Sequence, residues 1–184
     1  AARGDQQGGF VDVGPRRYAS LWSGSAGSWV NLDSGEGFSQ VLAMAGALQG
    51  GVVVNRATLW SGTAASRVDL HPAGALRSRV LGMHGNQQVG YAGFTSPFDD
   101  GACLWNGTAG SFVSLAPAGS VRSNATGTNG TQQAGWVIMG GMQHASLWSG
   151  TAESWVDLRP AGAGDSAVHA MSGAYQVGVF ASFS

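Results

Sequence analysis

The sequence predicts an all-β protein built from four consecutive copies of one four-stranded unit. Three observations predict it. The pair Leu-Trp occurs four times in one frame, at Leu21-Trp22, Leu59-Trp60, Leu104-Trp105 and Leu147-Trp148. A second frame, Gly-x-x-Gln-x-Gly, occurs five times, around Gln7, Gln49, Gln88, Gln133 and Gln176. Between these frames lie strand-length runs bounded by Gly, Asn, Ser or Pro, and no stretch holds a helical period.

The first run of a unit is like Ser78-Arg79-Val80-Leu81-Gly82-Met83. Small residues recur there at Ala43, Gly82, Gly127 and Ala170, which predicts close backbone approach around a central axis. The second run is like Gln88-Val89-Gly90-Tyr91-Ala92-Gly93-Phe94. The third carries Leu-Trp, whose side chains fall on opposite faces of a strand. The fourth is Val-x-Leu, as in Val113-Ser114-Leu115. Three copies then continue into Pro-Ala-Gly, at Pro72, Pro117 and Pro160. The tryptophans are 38, 45 and 43 residues apart. Four strands in about 43 residues match a β-propeller blade. The domain is therefore read as one repeat domain, 1–184, with repeats at approximately 6–46, 47–85, 86–130 and 131–173 and an extra strand at 174–181.

Composition narrows the function classes. Glycine supplies 31 of 184 residues, and charged residues only 10%. The formal net charge is −1, which excludes a basic nucleic-acid footprint. No apolar run approaches a membrane span. One cysteine excludes an internal disulfide framework. The 7 Trp and 7 Phe argue against disorder and for a packed core.

The pattern Gly-x-x-Gln-Val-Gly, His-Ala-x-Leu-Trp and Val-Asp-Leu-x-Pro-x-Gly resembles the bacterial extracellular HAF repeats. The best-matching copy runs from His144-Ala145-Ser146-Leu147-Trp148 through Gly162, then Gly173 to Gly178. The resemblance extends from Ala1 to about Ala181. It implies a secreted or cell-surface bacterial β-propeller and carries over no catalytic residue. The chain departs from the family motif in two places. Tyr18, Arg56 and Gly101 replace the His in three copies, and Ser20, Thr58, Cys103 and Ser146 replace the Phe.

The repeat phase is the same at both ends, so the expected ring is a propeller of about four blades closed by strand sharing between the termini. Residues 165–181 would complete the blade that residues 18–32 begin, and Gln6–Val13 would lie outside it or start a further blade. The chain does not open on Met and is expected to be a processed secreted protein or part of a longer array, as a monomer or a self-associating dimer.

The expected function is a non-catalytic binding or scaffold module that takes a glycan or protein ligand through rim loops. The candidate platforms are Trp29, Trp155, Phe112, Tyr91 and Trp136, aromatics able to stack on an apolar sugar face. The alternative is an enzyme of hydrolase or lyase type at the channel mouth, using His84, His169 or Asp165, with His84 and His169 lining the channel. No HExxH, CxxC, phosphate loop or nucleophile motif is present, so no cofactor and no metal are expected. Asp69, Asp157, Asn31 and Ser114 share one repeat position, where a side-chain oxygen suits a strand-end hydrogen bond. Cys103 aligns with Ser20, Thr58 and Ser146 and reads as an inert strand residue.

Overall fold

The computed structural model describes residues 1–96 and 98–182. Its described residues form five antiparallel sheets in chain order. The first contains β1 (Ala2–Arg3), β2 (Gln6–Val13), β3 (Arg16–Trp22) and β4 (Val30–Asn31). The second contains β5 (Ser39–Ala45), β6 (Leu48–Val53), β7 (Arg56–Trp60) and β8 (Val68–Asp69). The third contains β9 (Arg77–His84), β10 (Gln87–Gly93), β11 (Gly101–Trp105) and β12 (Val113–Ser114). The fourth contains β13 (Arg122–Thr128), β14 (Gln133–Met139), β15 (Met142–Trp148) and β16 (Val156–Asp157). The fifth has only β17 (Ala163–Ser172) and β18 (Tyr175–Ser182).

The two sequence frames meet in one register. Gln7, Gln49, Gln88 and Gln133 stand opposite Trp22, Trp60, Trp105 and Trp148 across the second and third strands. The glycine two residues after Gln49, Gln88, Gln133 and Gln176 marks a backbone collision. A Cβ on Gly90 would lie 1.9 Å from the Arg79 carbonyl oxygen, and Gly51 and Gly135 would make the same clash. The pairing shifts register at this point, so the first strand bulges towards the second. Close backbone approach is found at the glycines of the first run. A Cβ on Gly82 would meet the Thr126 carbonyl oxygen of the next sheet at 2.6 Å.

Each junction between consecutive sheets is one apolar cluster. Leu21 of the first sheet meets Trp60 of the second, and Leu59 meets Trp105. Leu104 meets Trp148 in the same way. The strand alternation that separates Leu from Trp therefore sends Leu forward and Trp backward along the stack. Trp60, Trp105 and Trp148 are fully buried, whereas Trp22, on which no other sheet of the described residues packs, is only half-buried. A one-turn 3-10 helix, which the strand pattern did not predict, joins the third and fourth strands of every complete sheet, for example at Ala109–Ser111.

The strand sharing expected between the termini is not found among the described residues. Residues 165–181 do not complete the sheet begun by residues 18–32; β3 pairs with β2 instead. Both candidate strands carry the Gln-x-Gly frame. Gln6–Val13 is joined to β3 by only Gly14 and Pro15, so its loop closes at much lower entropic cost. Residues 163–182 fold as the separate fifth sheet, packed on the fourth through Ala134, Ala145 and Val168. Among the described residues, no hydrogen bond and no apolar cluster joins the first sheet to the fifth.

Candidate functional site

The expected rim platforms start from a repeated turn. Ser111 Oγ accepts the Asn106 N–H at 2.7 Å and donates to the Thr108 carbonyl at 2.7 Å. Ser28, Ser66 and Ser154 make the same pair of bonds in their own copies. These bonds pin the 3-10 turn and deliver the next residue in one conformation. Trp29, Arg67, Phe112 and Trp155 share φ between −56° and −58° and ψ between 127° and 130°. One backbone position is thus repeated four times with three different side-chain types.

The side chains at that position differ in what they can offer. Trp29 is 43% exposed, and its indole N–H donates to Ser20 Oγ at 3.0 Å. Trp155 is half-buried and donates to Ser146 Oγ at 2.9 Å, with the His144 ring edge-on at 6.5 Å. Arg67 pairs with Glu36 and reaches the Ser34 hydroxyl. Phe112 packs between Trp105 at 6.0 Å and Phe94 at 5.9 Å and contributes to the second junction. Tyr91 and Trp136 lie elsewhere, half-buried on β10 and β14. The Arg77 guanidinium stands 5.8 Å from the Tyr91 ring. The five aromatics are therefore distributed over the sheets, not gathered into one platform.

The histidines of the expected channel also stay apart. His84 ends β9 and lines a cleft of about 320 Å³ with Arg3, Met44 and Met83. His169 on β17 lines a different cleft of about 300 Å³, with Gln143, Asp165 and Phe180. Asp165 is tied to the Gln143 N–H at 2.8 Å. Among the described residues, no three His, Cys, Asp or Glu side chains stand together as a metal site.

The recurrent side-chain oxygen acts at strand ends, as its position predicts. Asn31, Asp69 and Asp157 accept the N–H two residues ahead at 2.8–2.9 Å, and Ser114 does so at 3.4 Å. Burial raises the Asp157 pKa, but the Arg159 N–H and His144 outweigh it and hold the carboxyl below its usual range. Asp69 behaves alike, with Arg56 and the His71 N–H outweighing burial. Between the third and fourth sheets, buried Asp100 accepts a hydrogen bond from Arg122 at 2.8 Å. Arg77 Nη2 lies 2.7 Å from its other oxygen, an ionic contact without hydrogen-bond alignment.

Two sets of polar residues organise the molecule beyond the sequence expectations. Ser39, Ser78, Ser123 and Ser166 accept the N–H of Ala19, Ala57, Ala102 and Ala145 from the preceding sheet, at 2.8–2.9 Å. Each stands ten residues before a frame Gln, a spacing that could have revealed the set. The Gln residues act as clamps. Gln49, Gln88 and Gln133 accept the N–H of Gly62, Gly107 and Gly150 at 2.8 Å, and Gln7 accepts that of Gly24 at 3.1 Å. Each clamp ties the end of the Leu-Trp strand back to the second strand.

Comparison with protein-family models gives no match for this chain, and comparison with curated proteins gives none either. No helix among the described residues is long and apolar enough to cross a membrane.

Proposed function

We propose that the chain is a non-catalytic binding or scaffold module of β-propeller type, secreted or displayed at a bacterial cell surface. The observation that carries this reading is the repeated rim position. Four superimposable backbones carry Trp29, Arg67, Phe112 and Trp155, so the frame is constant while the presented chemistry changes. A rigid scaffold with interchangeable surface groups is the construction of a binding module. Trp29 and Trp155 carry the ligand contacts, because their indole N–H groups are anchored and their ring orientation is thereby set. Their ligand is a glycan or a protein segment with an apolar face. The resemblance to HAF repeats supports the extracellular setting. An enzyme with its site at a channel mouth is disfavoured, because His84 and His169 line separate clefts.

A glycan array probed with the intact chain tests the proposal. Binding that falls on Trp29→Ala and Trp155→Ala, and persists on His169→Ala, is the expected result. Hydrolytic turnover abolished by His169→Ala would replace the module with an enzyme.

A further inference from the structure

The third copy differs from the others at the entry to its rim turn. Ser23-Gly24, Ser61-Gly62 and Ser149-Gly150 open the turn in three copies, and Asn106-Gly107 opens it in the third. An Asn followed by Gly is chemically reactive. The backbone nitrogen of the Gly can attack the carboxamide carbon of the Asn, and glycine leaves that approach open because it has no Cβ. A serine at the same place offers no electrophilic carbon. Of the four turns, only the third can react in this way.

The electrophile is accessible. Asn106 is exposed, its N–H is pinned by Ser111 Oγ, and its carboxamide makes no hydrogen bond among the described residues. The nucleophile is held back. The Gly107 N–H donates to Gln88 Oε1 at 2.8 Å. Gln88 is fully buried, and its own side-chain N–H donates to the Asn86 carbonyl at 2.9 Å, so the acceptor cannot swing away with the glycine. The Asn86 side chain also covers this spot, since a Cβ on Gly107 would lie 3.0 Å from its carboxamide. Attack requires that the amide proton leave and that the nitrogen turn towards Asn106 Cγ. The Gln88 bond opposes both.

The second Asn-Gly of the chain, Asn129-Gly130, is restrained differently. There the carboxamide itself is locked. Asn129 Oδ1 accepts the Thr131 N–H and hydroxyl at 3.0 Å and the Gln132 N–H at 2.8 Å. Its Nδ2 donates to the Gly173 carbonyl at 2.8 Å. Asn129 is therefore restrained by its own side chain, whereas Asn106 is restrained only through the Gln88 clamp on its neighbour.

We propose that Asn106 is a modification site gated by Gln88: opening of the clamp releases Gly107 for intramolecular deamidation. The Gly107 nitrogen gives its proton to solvent hydroxide and bonds to Asn106 Cγ. The Cγ–Nδ2 bond breaks, and ammonia leaves with a proton taken from water. The resulting five-membered succinimide takes up one water at either carbonyl and opens to aspartate or isoaspartate. Either product places a new carboxylate at the start of the turn that sets Phe112, and isoaspartate also adds one carbon to the backbone there. The inference is independent of the glycan-binding reading.

Incubation of the intact chain in mildly alkaline buffer, with peptide mass spectrometry of both Asn-Gly sites, tests it. In Gln88→Ala, Asn106 converts about fivefold faster than in the wild-type chain, the scale of one hydrogen bond. Both aspartate and isoaspartate appear, and Asn129 keeps its wild-type rate. Gln133→Ala removes the equivalent clamp of the fourth sheet and leaves Asn106 at the wild-type rate, which separates loss of this clamp from general loosening. A measurement on the wild-type chain needs no variant to fold. Hydrogen exchange at the Gly107 N–H and conversion of Asn106 rise in parallel through sub-denaturing urea. Equal conversion of Asn106 in Gln88→Ala and Gln133→Ala, aspartate without isoaspartate, or wild-type conversion that does not follow Gly107 exchange overturns the proposal.

Discussion

Ser78 Oγ accepts the backbone N–H of Ala57 at 2.8 Å, across the boundary between the second and third sheets. Ser78 and the Ala57 N–H are both buried, and His71 Nδ1 lies 2.7 Å from the same oxygen. An apolar junction thus contains polar bonds that fix the sliding register of the sheets: this one, and the Ser78 N–H that donates to the Asn55 carbonyl at 2.8 Å. Ser78→Ala leaves a buried N–H without a partner, which costs about 1–3 kcal/mol. Urea unfolding followed by tryptophan fluorescence should show a lower midpoint at unchanged slope, and Ser123→Ala should match it.

The direction of the Leu-Trp pair predicts unequal tryptophans. Trp105 is fully buried, and Trp105→Ala should cost about 3–5 kcal/mol in chemical unfolding. Trp22→Ala should cost much less, because Trp22 is only half-buried. Equal losses at both positions would contradict the stacking order.

Two glycines in the same frame should respond differently to alanine. Gly90→Ala places a Cβ 1.9 Å from the Arg79 carbonyl oxygen and should destabilise by about 1–3 kcal/mol or more. Gly9→Ala meets only the Trp22 ring at 3.8 Å and should be nearly neutral. The difference is that β1 is too short to reach Gly9, and thermal melts of the two variants measure it.

Cys103 is buried in the second junction, and burial, aided by the nearby Asp100 charge, pushes its thiol well above the ordinary range. The native chain should therefore be inert to a thiol-specific reagent at neutral pH. It should react with a single equivalent only after denaturant is added.

Asp99 predicts an acid transition. The Thr95 hydroxyl, with the N–H groups of Thr95, Ser96 and Phe94, lowers its carboxyl from 3.8 to about 2. The folded state thus favours the ionised form, so the contribution is fully present above the unfolded value. It is lost as pH falls through the window between 3.8 and about 2. An NMR titration should place the Asp99 midpoint near 2, and Thr95→Val should move it upward.

The four complete sheets were readable because their markers are large or sterically forced. Trp, Leu and Gln recur in frame since each fills one packing or clamping place. The glycine two residues after Gln49, Gln88, Gln133 and Gln176 recurs because no Cβ fits beneath the carbonyl of the first strand. The serines at 39, 78, 123 and 166 carry a weaker signal, because small polar residues also populate turns. Their partners also lie 20 or 21 residues upstream, beyond any local pattern. The 3-10 turns escaped because three residues carry no period. The strand sharing expected between the termini fails for a different reason. Gln7 and Gln176 present the same frame to β3, and proximity along the chain decides between them.

The forward Leu and backward Trp also bear on how such a chain grows during evolution. Each internal face is matched to the face one period of about 43 residues away. A tandem duplication of one period therefore inserts a sheet whose two sides already fit, wherever the breakpoints fall. Copy number can drift by slippage without any new interface having to arise. A deletion out of period would bring together two faces that were never complementary.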